Sequence, residues 1–176
     1  DFTGNIIISG LARAEVNFGD HVLDDVRSES NTILTTFFVA SISSSGSWLW
    51  VVDIGNSVNH ESITNLMNYN QNWLVKATNT GRIYVAGWDV GTHSVHDAHK
   101  QIAVIDSINS TMLTTLLVNA SVPIRINGLV SDLSGNIFFT GNYGNSGIAG
   151  EILFGDNELE SALYGSTNIF IAKADI

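Results

Sequence analysis

Short runs of β-branched and aromatic residues alternate along the chain with short polar links that end in glycine. Gly4-Asn5-Ile6-Ile7-Ile8-Ser9-Gly10 returns as Gly81-Arg82-Ile83-Tyr84-Val85-Ala86-Gly87 and as Gly135-Asn136-Ile137-Phe138-Phe139-Thr140-Gly141. Each copy predicts a turn glycine with positive φ, a buried strand, and a second glycine where the chain bends away. Apolar runs at 73–77 and 128–132 precede two of the copies. They join them through Thr78-Asn79-Thr80-Gly81 and Leu133-Ser134-Gly135, links that read as hairpin turns.

Two further phrases recur in the same order. Phe18-Gly19-Asp20-His21-Val22-Leu23 is matched by Phe154-Gly155-Asp156-Asn157-Glu158-Leu159. Phe38-Val39-Ala40-Ser41-Ile42 is matched by Ile102-Ala103-Val104-Ile105-Asp106 and by Phe170-Ile171-Ala172-Lys173-Ala174. A turn at Ser45-Gly46-Ser47 and a strand, Trp48-Leu49-Trp50-Val51-Val52, follow the first copy, and residues 112–118 stand there in the middle. Helical periodicity is poor, and residues 61–69 allow one or two turns at most. The pattern predicts one all-β domain over 1–176, built of three repeat units of short antiparallel strands at about 1–56, 57–120 and 121–176. The excess length between the first two copies falls at 11–36 and 55–71, in loops where repeat architectures place function.

The phrases G-N-[IV]-[YIF]-[VIF]-[TS]-G, F-G-x-x-x-L, [DN]-[IF]-F-[VI]-A-K and S-G-x-W-L-W resemble those of bacterial surface and secreted proteins carrying SBBP-type β-propeller repeats. Residues 4–10, 18–23, 37–40 and 45–50 carry the resemblance in the first unit, and 135–141, 154–159 and 168–173 in the third. The middle unit matches loosely, at 81–87 and 102–106. The resemblance implies four-stranded antiparallel blades and an extracellular setting, and it carries over no catalytic residue. Propellers close with about four to eight blades, more than this chain supplies. By phrase, the first unit lacks its first strand and the third its last. The repeats therefore belong to a larger propeller, or combine as several copies in a ring, or take an end strand from a neighbour. A β-sandwich or barrel is the alternative that keeps the phrases without the propeller.

Composition narrows the partners. The net charge is −10 with only seven Lys and Arg, a field that repels a phosphate backbone, so nucleic acid is not expected. No apolar run has the length of a membrane-spanning helix. The absence of cysteine removes disulfides and thiolate metal sites. Few lysines and many Asn, Ser and Thr suit an extracellular or cell-surface protein. The first residue is Asp1 with no initiator Met, as in a mature product or a piece of a longer chain.

His93, His96, His99 and Asp97 form the densest group of potential ligands, and neutral imidazoles with a carboxylate suit zinc. A solvated His-rich loop explains the same residues. Asp20, Asp24, Asp25 and Glu29, and then Asp156, Glu158 and Glu160, are carboxylates suited to calcium, but they lack the D-x-[DN]-x-[DN]-G ladder, and a charged solvent face accounts for them. Trp88 beside Asp89 is a candidate platform for a sugar ring. Trp48 and Trp50, two apart on a strand, are expected to face the same way into a core. Nucleophile elbows and phosphate-binding glycine loops are absent, so no enzyme is expected.

The function expected is that of a non-enzymatic extracellular structural or adhesive module, completed by self-association or partner strands, as in a filament or surface layer. Its predicted edges are Ile6, Ile7 and Ile8 at one end and Phe170, Ile171 and Ile176 at the other. A glycan-binding, lectin-like module is the second reading, and a metal-dependent hydrolase centred on the histidines the third.

Overall fold

The computed structural model describes residues 1, 3–12, 14–24, 35–57, 74–89, 98–122, 124–144, 150–160 and 167–175, with the backbone alone at 35, 55–57, 87–89 and 98–101. The helical turns considered at 61–69 lie outside these residues. Every regular element among them is a strand. In chain order these are β1 (Ile6–Ala12), β2 (Val16–Phe18), β3 (His21–Leu23), β4 (Thr35–Ile42), β5 (Trp48–Ser57), β6 (Leu74–Ala77) and β7 (Arg82–Asp89). There follow β8 (Ala98–Asp106), β9 (Thr111–Ala120), β10 (Ile124–Ser131), β11 (Ile137–Gly144), β12 (Glu151–Phe154), β13 (Asn157–Glu160) and β14 (Thr167–Ala174).

All ladders are antiparallel. The first sheet has the order β1-β4-β5, with the β2–β3 hairpin inserted between its first two strands. The last repeats this plan as β10-β11-β14, with the β12–β13 hairpin at the same place in the chain. Between them β6 to β9 form a meander, and the β12–β13 hairpin adds to its outer side, giving β13-β12-β9-β8-β7-β6. None of these sheets closes, so the barrel alternative is not formed.

Alternation along each strand explains the layering. Phe37, Val39, Trp50 and Ile54 of the first sheet pack against Ile83, Val85, Ala103 and Ile105 of the middle one. The opposite face of the middle sheet, with Tyr84, Ile102, Val104 and Val118, packs against Ile126, Ile137, Phe139 and Phe170 of the last. A third cluster seats Phe18 and Leu23 of the β2–β3 hairpin on Ala12 and Ala40, with Phe38 and Trp48 around them. Each large side chain closed between sheets contributes roughly 1.5–3 kcal/mol by leaving water.

The links ahead of β1, β7 and β11 share one device that the glycine pattern alone did not reveal. Asp132 Oδ1 accepts the N–H groups of Ser134 and Asn136, each at 2.9 Å, while Oδ2 accepts Asn136 Nδ2 at 2.7 Å. Asp1 does the same for Thr3 and Asn5, and Thr78 Oγ1 accepts from Thr80 and Arg82. The fourth residue of each link is glycine, at φ 86° for Gly4, 79° for Gly81 and 88° for Gly135. A side-chain acceptor at the first position and left-handed backbone at the fourth together fix the turn.

Three sequence expectations need correction. Gly10, Gly87 and Gly141 lie inside β1, β7 and β11 and do not end them. Ser41 pairs with Trp50 but Ile42 pairs with Trp48, so Leu49 is an extra residue in a β-bulge. The bulge turns Trp48 towards the hairpin and Trp50 towards the middle sheet, instead of giving them a common face. The third phrase is also one residue out of step in the middle unit. Ile6 pairs with Ile42, Ile83 with Ile105 and Ile137 with Ala174, so Ile42 corresponds to Ile105 and not to Asp106. A second bulge, between Ala86 and Trp88, accompanies that shift.

Candidate functional site

β14 forms the outer side of the last sheet, and no strand lies along its other edge among the described residues. Alternation divides its side chains. Phe170 points inward, 3% exposed, and meets the rings of Phe139, Tyr143 and Phe154. Ile169 and Ile171 point outward and are 80% and 78% exposed. Val130 on β10 and Phe138 on β11 lie opposite one another in the same sheet, and Phe138 lies opposite Lys173. Val130 is also an exposed apolar side chain. The open face therefore carries an apolar stripe across three strands. Val130, Ile169 and Ile171 are its exposed apolar members.

Lys173 borders one end of the stripe, and Arg125 stands in the row of Asn142 and Ile169 at the other. Lys173 Nζ stands 6.0 Å from the centre of the Phe138 ring and 2.6 Å from Asp175 Oδ1. The hydrogen bond to Asp175, and then its charge, hold the Lys173 ammonium above its ordinary pKa. The ammonium thus stays on at neutral pH beside the isoleucines.

The other sequence-named edge lies on the first sheet. Ile6 is exposed, whereas Ile7 packs towards the middle sheet and Ile8 towards the β2–β3 hairpin. Ile6 is thus the member of that trio whose side chain is open. Ile176 lies outside the described residues.

The remaining sequence-named residues fall mostly outside the described side chains. His93, His96 and Asp97 lie outside the described residues, and His99 is placed only as a backbone position on β8. Trp88 and Asp89 are likewise backbone positions at the end of β7. Among the described residues no three acidic or histidine side chains gather as a metal site. Asp25 and Glu29 lie outside the described residues. Glu158, on β13, lies diagonally across the β12–β13 ladder from Glu151, where its protonated carboxyl can share a hydrogen bond with that carboxylate. That bond, and then repulsion from the same carboxylate, push Glu158 above the ordinary carboxylate pKa.

Comparison with protein-family models, curated proteins and solved structures gives no match to this chain. The functional reading therefore rests on the chain's own repeats and surfaces.

Sequence reasoning missed Val130, Phe138, Lys173 and Ile169 as members of one surface. The signal was present in the third phrase, where Ile171 stands in the place of the fully buried Val39.

Proposed function

We propose that this chain is a non-enzymatic structural or adhesive module of the extracellular space or cell surface, built of β-propeller-type repeats. It engages protein partners, copies of itself among them, through the outer flank of its last sheet and the β14 edge, along which no strand lies among the described residues. The observation that carries this reading is the pair Ile169 and Ile171, both about four-fifths exposed on an edge strand. An edge strand offers backbone N–H and C=O groups to a partner, and exposed apolar flanks favour the added contact by burial. Proteins that avoid such pairing place lysine or proline along the edge. Here the edge lysine, Lys173, is drawn over Phe138 and to Asp175, so its charge is partly offset beside Ile171.

Sedimentation velocity over a wide concentration range tests the reading. Assemblies that grow with concentration, and that vanish when Ile169 and Ile171 are both replaced by Lys, are expected. A monomer at every concentration, with no oligomers visible by electron microscopy, defeats the self-associating module.

A further inference from the structure

The two open surfaces are the two halves of a joint that the molecule already makes twice. Counted from the first glycine of each phrase, Ile6, Ile83 and Ile137 hold one place. Ile83 and Ile137 are fully buried, each facing the sheet before it, while Ile6 is 57% exposed. The ladders supply the complementary set. Val39 pairs with Ser9, Ile102 with Ala86 and Ile171 with Thr140, which makes these three equivalent. Val39 and Ile102 are fully buried against the sheet that follows, and Ile171 is open.

We infer that the Ile171 face of one molecule docks on the Ile6 face of a second copy, head to tail, reproducing the stacking of its own sheets. This rests on the self-association reading above and names the partner surface. Each internal joint sets a residue of the Ile6 kind in one cluster with a residue of the Ile171 kind. Ile83 shares a cluster with Val39, and Ile137 shares one with Ile102. A contact of two different patches is heterologous, so it propagates until rotation closes a ring or continues as a fibre.

The same equivalence says how the intermolecular joint differs. At the joint between the middle and last sheets, Tyr84 donates its hydroxyl to the Gly135 carbonyl at 2.6 Å. Phe138 stands in the place of Tyr84, and Gly4 in that of Gly135. The joint between copies therefore lacks this hydrogen bond, as does the joint between the first and middle sheets, where Ile7 holds the place of Tyr84.

Four proteins test the proposal: wild type, I171K, I6K and F138Y. Because both isoleucines are exposed, their replacement leaves the fold intact, as circular dichroism and unfolding midpoints report. Neither I171K nor I6K alone should assemble, yet an equimolar mixture should sediment as a dimer through its one intact pair of faces. F138Y should tighten assembly several-fold, and only where Ile6 is retained. A second measurement does not depend on charge. The chain has no cysteine, so a short bis-maleimide should join I6C to I171C in preference to either variant with itself. If I6K assembles as wild type does while I171K does not, the head-to-tail joint is wrong and the adhesive edge stands. If wild type never assembles, both fall.

Discussion

Gly141 lies directly across the β11–β14 ladder from Phe170, and a Cβ placed on it would stand 2.8 Å from the Phe170 ring. Gly10 holds the same relation to Phe38 in the first sheet, at 2.9 Å. The glycines leave room for a ring to lie flat over the partner strand. At Gly141 the added methyl would also overlap the Arg125 carbonyl oxygen, which is main chain and cannot swing away. Gly10→Ala is therefore expected to cost about 1–3 kcal/mol, by displacing a ring. Gly141→Ala should cost distinctly more. Urea unfolding midpoints compare the two, and Phe38→Leu should recover much of the first loss and Phe170→Leu little of the second. Equal losses would rule out the backbone clash.

Acid should loosen the hairpin links. Asp132 is held below the ordinary carboxylate pKa by the Asn136 side chain and then, against opposing desolvation, by the N–H groups of Asn136 and Ser134. Asp106 is lowered by the Asn109 side chain and the N–H groups of Ile108 and Asn109. A lowered folded pKa means stability that is present above the unfolded value, about 3.9, and is lost as pH falls through the folded one. Asp132→Asn keeps Oδ1 as an acceptor but cannot titrate, so its acid limb should be shallower in a pH series of unfolding midpoints.

Glu158 works in the opposite sense. Its pKa is raised, so its contribution is present below the unfolded value, about 4.3, and is lost as pH rises through the folded pKa. Glu158→Gln should stabilise the protein at pH 7, with an advantage that shrinks towards pH 4. An advantage that grows in acid would contradict the shared hydrogen bond with Glu151.

The Tyr84 hydroxyl is a buried polar tie between the middle and last sheets. Tyr84→Phe leaves the Gly135 carbonyl without that donor and should cost roughly 1–3 kcal/mol. Amide exchange should quicken across the joint to the last sheet, while the first sheet keeps its protection. A uniform change across all three sheets would count against a local tie.

Ser41 presents the reverse case. Its hydroxyl is fully buried with no hydrogen-bond partner among the described residues, at the place that Val104 fills in the middle sheet. Ser41→Ala should be neutral or stabilising by up to about 1 kcal/mol, since it removes an unsatisfied polar group. A clear loss in thermal or urea unfolding would reveal a partner for the hydroxyl.

The short antiparallel strands were legible because three phrases repeat with strand-like alternation, but their grouping was not: three-, six- and two-stranded sheets stand where four-stranded blades were expected. Nor were the details set by single extra residues legible. A bulge at Leu49 reverses the face of Trp48, and two-residue periodicity carries no sign of it. In the middle unit Ile83 pairs with Ile105, so the strand equivalent to the third phrase is offset by one residue from its linear match, and only the ladder reveals this. The open contact surface was half legible. Ile171 and Ile6 were named from edges, whereas Val130, Phe138 and Lys173 join them only through cross-strand pairing that the linear sequence does not print. Phe170, named with Ile171, lends the edge its main chain alone, since adjacent residues on a strand face opposite ways.

The β12–β13 hairpin belongs by sequence to the last unit but hydrogen-bonds to β9 of the middle sheet, with Ile152 opposite Ala120 and Phe154 opposite Val118. Phe154 meanwhile keeps its ring against Phe139 and Phe170 of its own unit. It is a clasp. Under tension along the stack, separating these two layers requires shearing a backbone ladder as well as peeling apart oily surfaces. Among the described residues no strand crosses from the first sheet to the middle one. A pulled molecule should therefore yield in two steps, with the middle and last layers leaving as a single mechanical body.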